Sequence, residues 1–190
     1  MEYCKNVIIC LLLLYAPLCC RAQFNPVDVK QQYPPEVQVI NCLEETLLNE
    51  LGNVETDWNT GEDIDKYFDE FGLKPGLAWC SIFVMWVYKS CDVENNGTPW
   101  SPSWFIKPYT FYHKDQLCLN MITPKFGDVF GIYFRNLGRV AHVGFIYRWI
   151  PNSKWCLTIE GNVIGSRGIE GVHMVMRLKS EVYIAARYIQ

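Results

Sequence analysis

Residues 79–91 read WCSIFVMWVYKSC, and the rest of the chain is best understood outward from them. Apolar side chains fall on every side of the helical wheel, and a helix that is hydrophobic all round is a buried one. Pro75 and Gly76 lie just upstream, so Cys80 is expected near the first turn. Two amphipathic segments come before it. Val37, Ile40, Leu43, Leu47, Leu48 and Leu51 recur at helical spacing over 36–51, ahead of Gly52. Ile64, Tyr67, Phe68 and Phe71 do the same over 62–71, ahead of Gly72. Residues 92–123 read as a long irregular surface wrap. After Pro124 the pattern changes to strands, at 128–134, 140–150, 155–160, 172–178 and 182–188, rich in Val, Ile, Tyr and Phe. Short turns separate most of them, which makes neighbours antiparallel. Helices first and strands second predict an α+β domain, with N-terminal helices packed on a C-terminal antiparallel β-sheet.

The 190 residues are half hydrophobic and 15% aromatic, enough for one real core and too apolar for a disordered chain. A net charge of −3 and a pI near 5.6 argue against a nucleic-acid binder, which shows a basic face. The run VIICLLLLYA at 7–16 follows Lys5 and precedes Pro17 and Arg21. It is shorter than the roughly 20 residues a membrane span needs and fits the core of a signal peptide. Residues 1–22 are therefore expected to be a signal peptide cut before Gln23, delivering the chain to the periplasm or the cell exterior. Cys19 and Cys20 raise a lipoprotein anchor, although the residues before them fit a lipidation box poorly. No other stretch is long enough to span a bilayer. Residues 23–39, with Pro26, Pro34 and Pro35, are expected as an extended lead-in, and 40–190 as the functional domain. Five cysteines lie beyond the signal segment: Cys42, Cys80, Cys91, Cys118 and Cys156. Those other than Cys80 allow two disulfides in three connectivities, or four reduced thiols.

A cysteine nucleophile needs a favoured thiolate, which a helix N-terminus and a nearby imidazole provide. Cys80 is the candidate at a helix start, and His142 stands in the middle of an expected strand. A three-residue hairpin loop at 151–153 would set Ile150 opposite Lys154, Gly144 opposite Glu160 and His142 opposite Asn162. Side chains alternate along a strand, so His142, Glu160 and Asn162 share one face. A slip of two residues sets His142 across from Glu160, and a slip of one would separate them. Either a carboxylate or an amide is thus available to orient the imidazole.

Four segments, GLKPGLAWCSIFVMWVY (72–88), KFGDVFGIYF (125–134), VAHVGFIY (140–147) and LTIEGN (157–162), resemble the CHAP domain in family order. This is the cysteine- and histidine-dependent amidohydrolase and peptidase family of the wider NlpC/P60 group. The resemblance spans about residues 40–190. It implies a papain-like α+β fold and hydrolysis of amide bonds in peptidoglycan stem peptides. It places the nucleophile at Cys80 and the general base at His142, with Glu160 and Asn162 orienting the histidine or shaping the site. No metal or other cofactor is needed for this chemistry. Many relatives carry a separate wall-binding domain, for which this chain has no room.

Each residue also has a plainer reading. Cys80 alone is a small buried hydrophobe, His142 a satisfied sheet histidine, and Glu160 and Asn162 a turn after a strand. Trp79, Trp100 and Trp104 would line a substrate groove or pack the core. Arg135 and Arg139 flank the hairpin tip before His142, either to meet substrate carboxylates or as a solvated loop. Asp57, Asn59, Gly61 and Asp63 alternate like a calcium loop, but the ligand set is incomplete and a turn with a helix cap fits better. His113 and His173 lack a matching context.

Overall fold

The computed structural model describes residues 34–116 and 122–189. The expected signal peptide at 1–22, the first part of the lead-in and Cys118 lie outside the described residues. Helix α1 spans Pro35–Asn49. Pro35 at its first position has the helical φ preset and gives up an N–H that would be unpaired there anyway. Residues 35–39 are therefore helical, which corrects the end of the expected lead-in and agrees with the helical spacing that begins at 36. Helix α2 spans Glu62–Asp69 and α3 spans Cys80–Ser90. Helix α3 buries Cys80, Ser81, Ile82, Phe83, Val84, Val87 and Tyr88, the all-round burial its sequence requires.

Six strands form one antiparallel sheet: β1 (Thr110–His113), β2 (Val129–Phe134), β3 (Arg139–Trp149), β4 (Trp155–Ile164), β5 (Glu170–Leu178) and β6 (Ile184–Ala186). The spatial order is β1-β6-β2-β3-β4-β5. The helices precede the sheet in the chain, as the α+β reading expects. Strand β1 is not among the expected strands, because it lies inside the region read as irregular. Its four residues are too short to show a period, and pairing with β6 is what makes them a strand. Strand β4 runs four residues past its expected end, and β6 is shorter than expected. Leu43 and Leu47 of α1, Ile64 and Phe68 of α2, and the α3 residues share one core with Val129, Val143, Phe145 and Ile159 of the sheet. None of the described helices is long and apolar enough to cross a membrane.

The register around β3 sets where His142 and Glu160 stand. The β3–β4 turn is longer than the expected loop, and its first pair is Trp149↔Cys156, one residue off the expected register. A bulge at Tyr147 adds one residue to β3 and cancels the offset, so that Ile146 faces Thr158 and Phe145 faces Ile159. At Phe145 the strand changes partners. From there to Arg139 it pairs with β2, while among the described residues no β3–β4 pair lies on the His142 side. Strand β4 meanwhile stays with β5 through Glu160↔His173. Among the described residues β3–β4 pairing thus ends at Phe145 and Ile159, and beyond it His142 and Glu160 meet through their side chains.

Cys42 on α1 and Cys91 at the end of α3 form a disulfide across 49 residues of chain. Cys156 is a buried free thiol, which removes the expected alternatives in which it pairs with either of those two cysteines. A cross-link closing a loop of this length restricts the unfolded chain by about 4 kcal/mol in the chain-entropy picture. Replacing Cys42 and Cys91 together by serine is expected to lower the unfolding free energy by about 3 kcal/mol. Denaturant titration of the oxidised wild type against the double variant checks this, and equal midpoints would rule out the bridge.

Candidate active site

Trp79 is the residue before α3, and its placement sets the direction of the Cys80 side chain. Its backbone N–H donates to Asn162 Oδ1 at 3.0 Å and its indole N–H to Glu55 Oε1 at 2.6 Å. Its ring stacks on Tyr67, with centroids 5.5 Å apart. Gly161 makes the packing feasible, because a Cβ there would lie 2.5 Å from the Trp79 ring. The start of α3 is thus held by β4 on one side and by the loop containing Glu55 on the other. The hydrogen bond from Phe83 N–H to Trp79 carbonyl O closes the first turn at 2.9 Å.

Cys80 is 4% exposed. Its Sγ lies 3.7 Å from Ser101 Oγ, on a 3-10 turn at Ser101–Trp104. Burial pushes the thiol pKa up. Hydrogen bonding and charge from His142, helped by the Val143 backbone N–H and Ser101, outweigh it and bring the pKa below the ordinary cysteine value. His142 shows the reciprocal effect. Burial alone would lower its pKa, but hydrogen bonds to Cys80 and Glu160 raise it to about 9. Each shift favours the charged form of its group, so the two together favour a thiolate beside an imidazolium.

His142 Nε2 is 2.6 Å from Glu160 Oε2, so Nδ1 is the nitrogen left for the thiol. Glu160 is fully buried and meets Arg177 through both carboxylate oxygens, each at 2.6 Å. Thr158 donates its hydroxyl to Oε1 as well. Burial disfavours the charged carboxylate, yet His142 and Arg177 hold its pKa down at about 2. The reach from Glu160 to His142 is diagonal. Continuing the β3–β4 register by one residue sets Gly144 opposite Glu160, and a Cβ on Gly144 would sit 2.8 Å from Glu160 Cγ. Only a glycine leaves that path open.

Asn162 belongs to a different part of the site. It adopts a left-handed backbone (φ 58°), which asparagine tolerates better than most residues. Its carbonyl accepts the Trp79 N–H, and its amide lies 3.2 Å from Glu55, 3.0 Å from Asn59 and 2.7 Å from Glu170. Of the two residues expected to orient the imidazole, Glu160 touches it, while Asn162 holds the helix start that carries the nucleophile.

The aromatic expectations need correction. Trp79 and Trp104 are fully buried and line no groove. Trp104 donates its indole N–H to Ser81 Oγ at 2.7 Å, inside the core. Trp100 is the exposed one, at 54%. In the calcium-like stretch, Asp57 accepts the Trp58 N–H, Asn59 is buried and Gly61 precedes α2, so the segment is a turn leading into a helix. Among the described residues no group of three His, Cys, Asp or Glu side chains is arranged to hold a metal. His173 meets the Ile169 carbonyl at 3.0 Å, and His113 packs on Tyr183.

Sequence reasoning missed Arg177 and Ser101. Arg177 faces Cys156 across β4–β5, on the same alternating face as Thr158 and Glu160, so strand parity carried a signal for it. Ser101 had none, since its closeness to Cys80 depends on how the chain returns after α3. Comparison with protein-family models, curated proteins and solved structures found no match for this chain.

Replacing Glu160 by Gln removes the anion that stabilises the imidazolium. The His142 pKa is expected to fall from about 9 by roughly one unit or more, the scale on which a neighbouring charge acts. The stability that His142 contributes by this shift is complete below its ordinary 6.5 and lost as pH rises through about 9, so the variant should lose part of that alkaline dependence. Imidazole NMR titration, with denaturation on either side of that window, measures both. An unchanged imidazole pKa in Glu160→Gln would contradict the arrangement.

Proposed function

We propose that this chain is an exported cysteine hydrolase that cleaves amide bonds in peptidoglycan stem peptides, as an amidase or an endopeptidase. The observation that carries the reading is the buried Glu160 carboxylate that meets His142 Nε2 at 2.6 Å and leaves Nδ1 for Cys80, a residue at the start of a buried helix whose thiol pKa His142 lowers. A structural cysteine does not need a partner imidazole whose far nitrogen is held by a buried, arginine-braced carboxylate. The choice of peptidoglycan rests on the resemblance of the four sequence segments to the CHAP family, and export on the apolar N-terminal run.

In this reading His142 keeps the thiol proton and Cys80 attacks the scissile carbonyl as thiolate. The Cys80 N–H belongs to the first turn of α3, where N–H groups lack an intrahelical acceptor, and it serves the developing oxyanion. His142 then passes its proton to the leaving amine, which departs and leaves a thioester on Cys80. Water, deprotonated by His142, adds to the thioester and releases the carboxylic acid and free thiol. Glu160 stays ionised throughout, fixing the tautomer and stabilising the imidazolium. Arg177 acts through Glu160 as a positioning residue.

Purified muropeptides of several wall chemotypes, digested with wild type and with Cys80→Ala and read by mass spectrometry, test the proposal. Wild type should release stem peptide from sugar, or cut within the stem or cross-bridge, and Cys80→Ala should not. His142→Ala should lose at least about 10³-fold in rate, the usual scale for a general base. No cleavage of any chemotype by a folded wild type would sink the peptidoglycan reading. Wild-type turnover in His142→Ala would remove the base assignment.

A further inference from the structure

Two residues beside the candidate site have no part in the thiolate chemistry. Trp100 directly precedes Ser101, whose hydroxyl is 3.7 Å from the Cys80 sulfur, and over half of Trp100 is exposed. Arg139 is the first residue of β3, three positions before His142, and is half-buried. Its guanidinium carbon stands 4.0 Å from the centre of the Trp100 ring. The loop that carries Ser101 and the strand of the base therefore meet at a cation–π contact.

This contact has a specific consequence. The ring attracts the guanidinium and restrains where it sits, and the guanidinium brings several N–H donors. One of them, on Nη1, donates to the Val140 carbonyl at 3.1 Å. Among the described residues no carboxylate pairs with Arg139, whereas Arg177 and Arg187 each hold a buried acid. Arg139 is thus a restrained fork with donors to spare, and a planar carboxylate is the group to which such a fork donates two parallel hydrogen bonds.

We infer that Arg139, held against Trp100, is a subsite for a free carboxylate on the peptide whose amide is cleaved at Cys80. The inference rests on the proposed hydrolase reading for its substrate, and it adds the chemical class that the site prefers. A peptide bearing an anionic group near the scissile bond binds in preference to the same peptide with that group amidated. A solely structural latch between the two segments would not tell the two peptides apart.

The test uses the mature chain with Cys80→Ala, which cannot turn over. The probes are the stem pentapeptide L-Ala-γ-D-Glu-L-Lys-D-Ala-D-Ala, C-terminally amidated throughout, with the glutamate α-carboxylate free in one and amidated in the other. Binding is followed by tryptophan fluorescence and calorimetry. The free carboxylate should bind about tenfold tighter, the scale of one charge-assisted contact at a partly exposed site. The difference should shrink with added salt. Arg139→Gln in the same background should make the two affinities equal, and Arg139→Lys should keep part of the preference. Equal binding of the two peptides before substitution, no binding of either, or a preference that survives Arg139→Gln, overturns the subsite. If the preference appears but Cys80-containing wild type cleaves neither peptide nor any muropeptide, the hydrolase reading fails and the carboxylate subsite stands.

Discussion

The Glu160 carboxylate is the constraint on which the rest depends. It is wholly out of water, and an isolated buried charge costs several kcal/mol, so the fold must supply partners. Arg177 comes from β5 with both oxygens in reach, Thr158 from its own strand, and His142 from β3 beyond the end of the β3–β4 pairing. Three strands must therefore keep a common register for one anion to be satisfied. That anion fixes the imidazole and raises its pKa to about 9, and the imidazole in turn lowers the pKa of a thiol carried by a helix. The electrostatic order runs from the sheet to the nucleophile.

The helix side is built to meet it with as little freedom. Trp79 is tied by its backbone to Asn162 and by its indole to Glu55, and it packs against Gly161, where any side chain would collide. Glu160 and Asn162, two residues apart on β4, thus control the two halves of the site separately. One sets the proton affinity of the base, the other the position of the helix start. The Cys42–Cys91 bridge anchors the far end of the same helix to α1. Helix α3 is fixed at both ends, and the thiol at its first residue has little room to drift from His142.

Most of the layout is legible in the chain. The all-round apolar helix, the two amphipathic helices before it and the alternating stretches after Pro124 each carry their own period. Strand parity puts His142 and Glu160 on one face, and it puts Arg177 there too once β5 is paired with β4. Other features carry no local mark. A tryptophan in a core and one in a groove look alike in sequence, so nothing local separates the buried Trp79 and Trp104 from the exposed Trp100. Strand β1 has four residues and owes its conformation to β6. The turn after β3 is longer than its punctuation implies, and a bulge at Tyr147 brings the register back before it reaches the site. A loop count alone is right at Gly144 for the wrong reason.

By itself, the sequence determined the α-before-β order, the buried helix with Cys80 in its first turn, and the shared face of His142 and Glu160. These follow from side-chain periodicity, which acts over a few neighbouring residues. Only the packed domain sets that Glu160 and not Asn162 meets the imidazole, that Arg177 braces Glu160, that Cys42 pairs with Cys91, and that Arg139 sits against Trp100. Each of those depends on where strand pairing ends or bulges and on how distant segments return. Such contacts are set by the packing of the whole domain and leave no repeat in the chain for a local pattern to reveal.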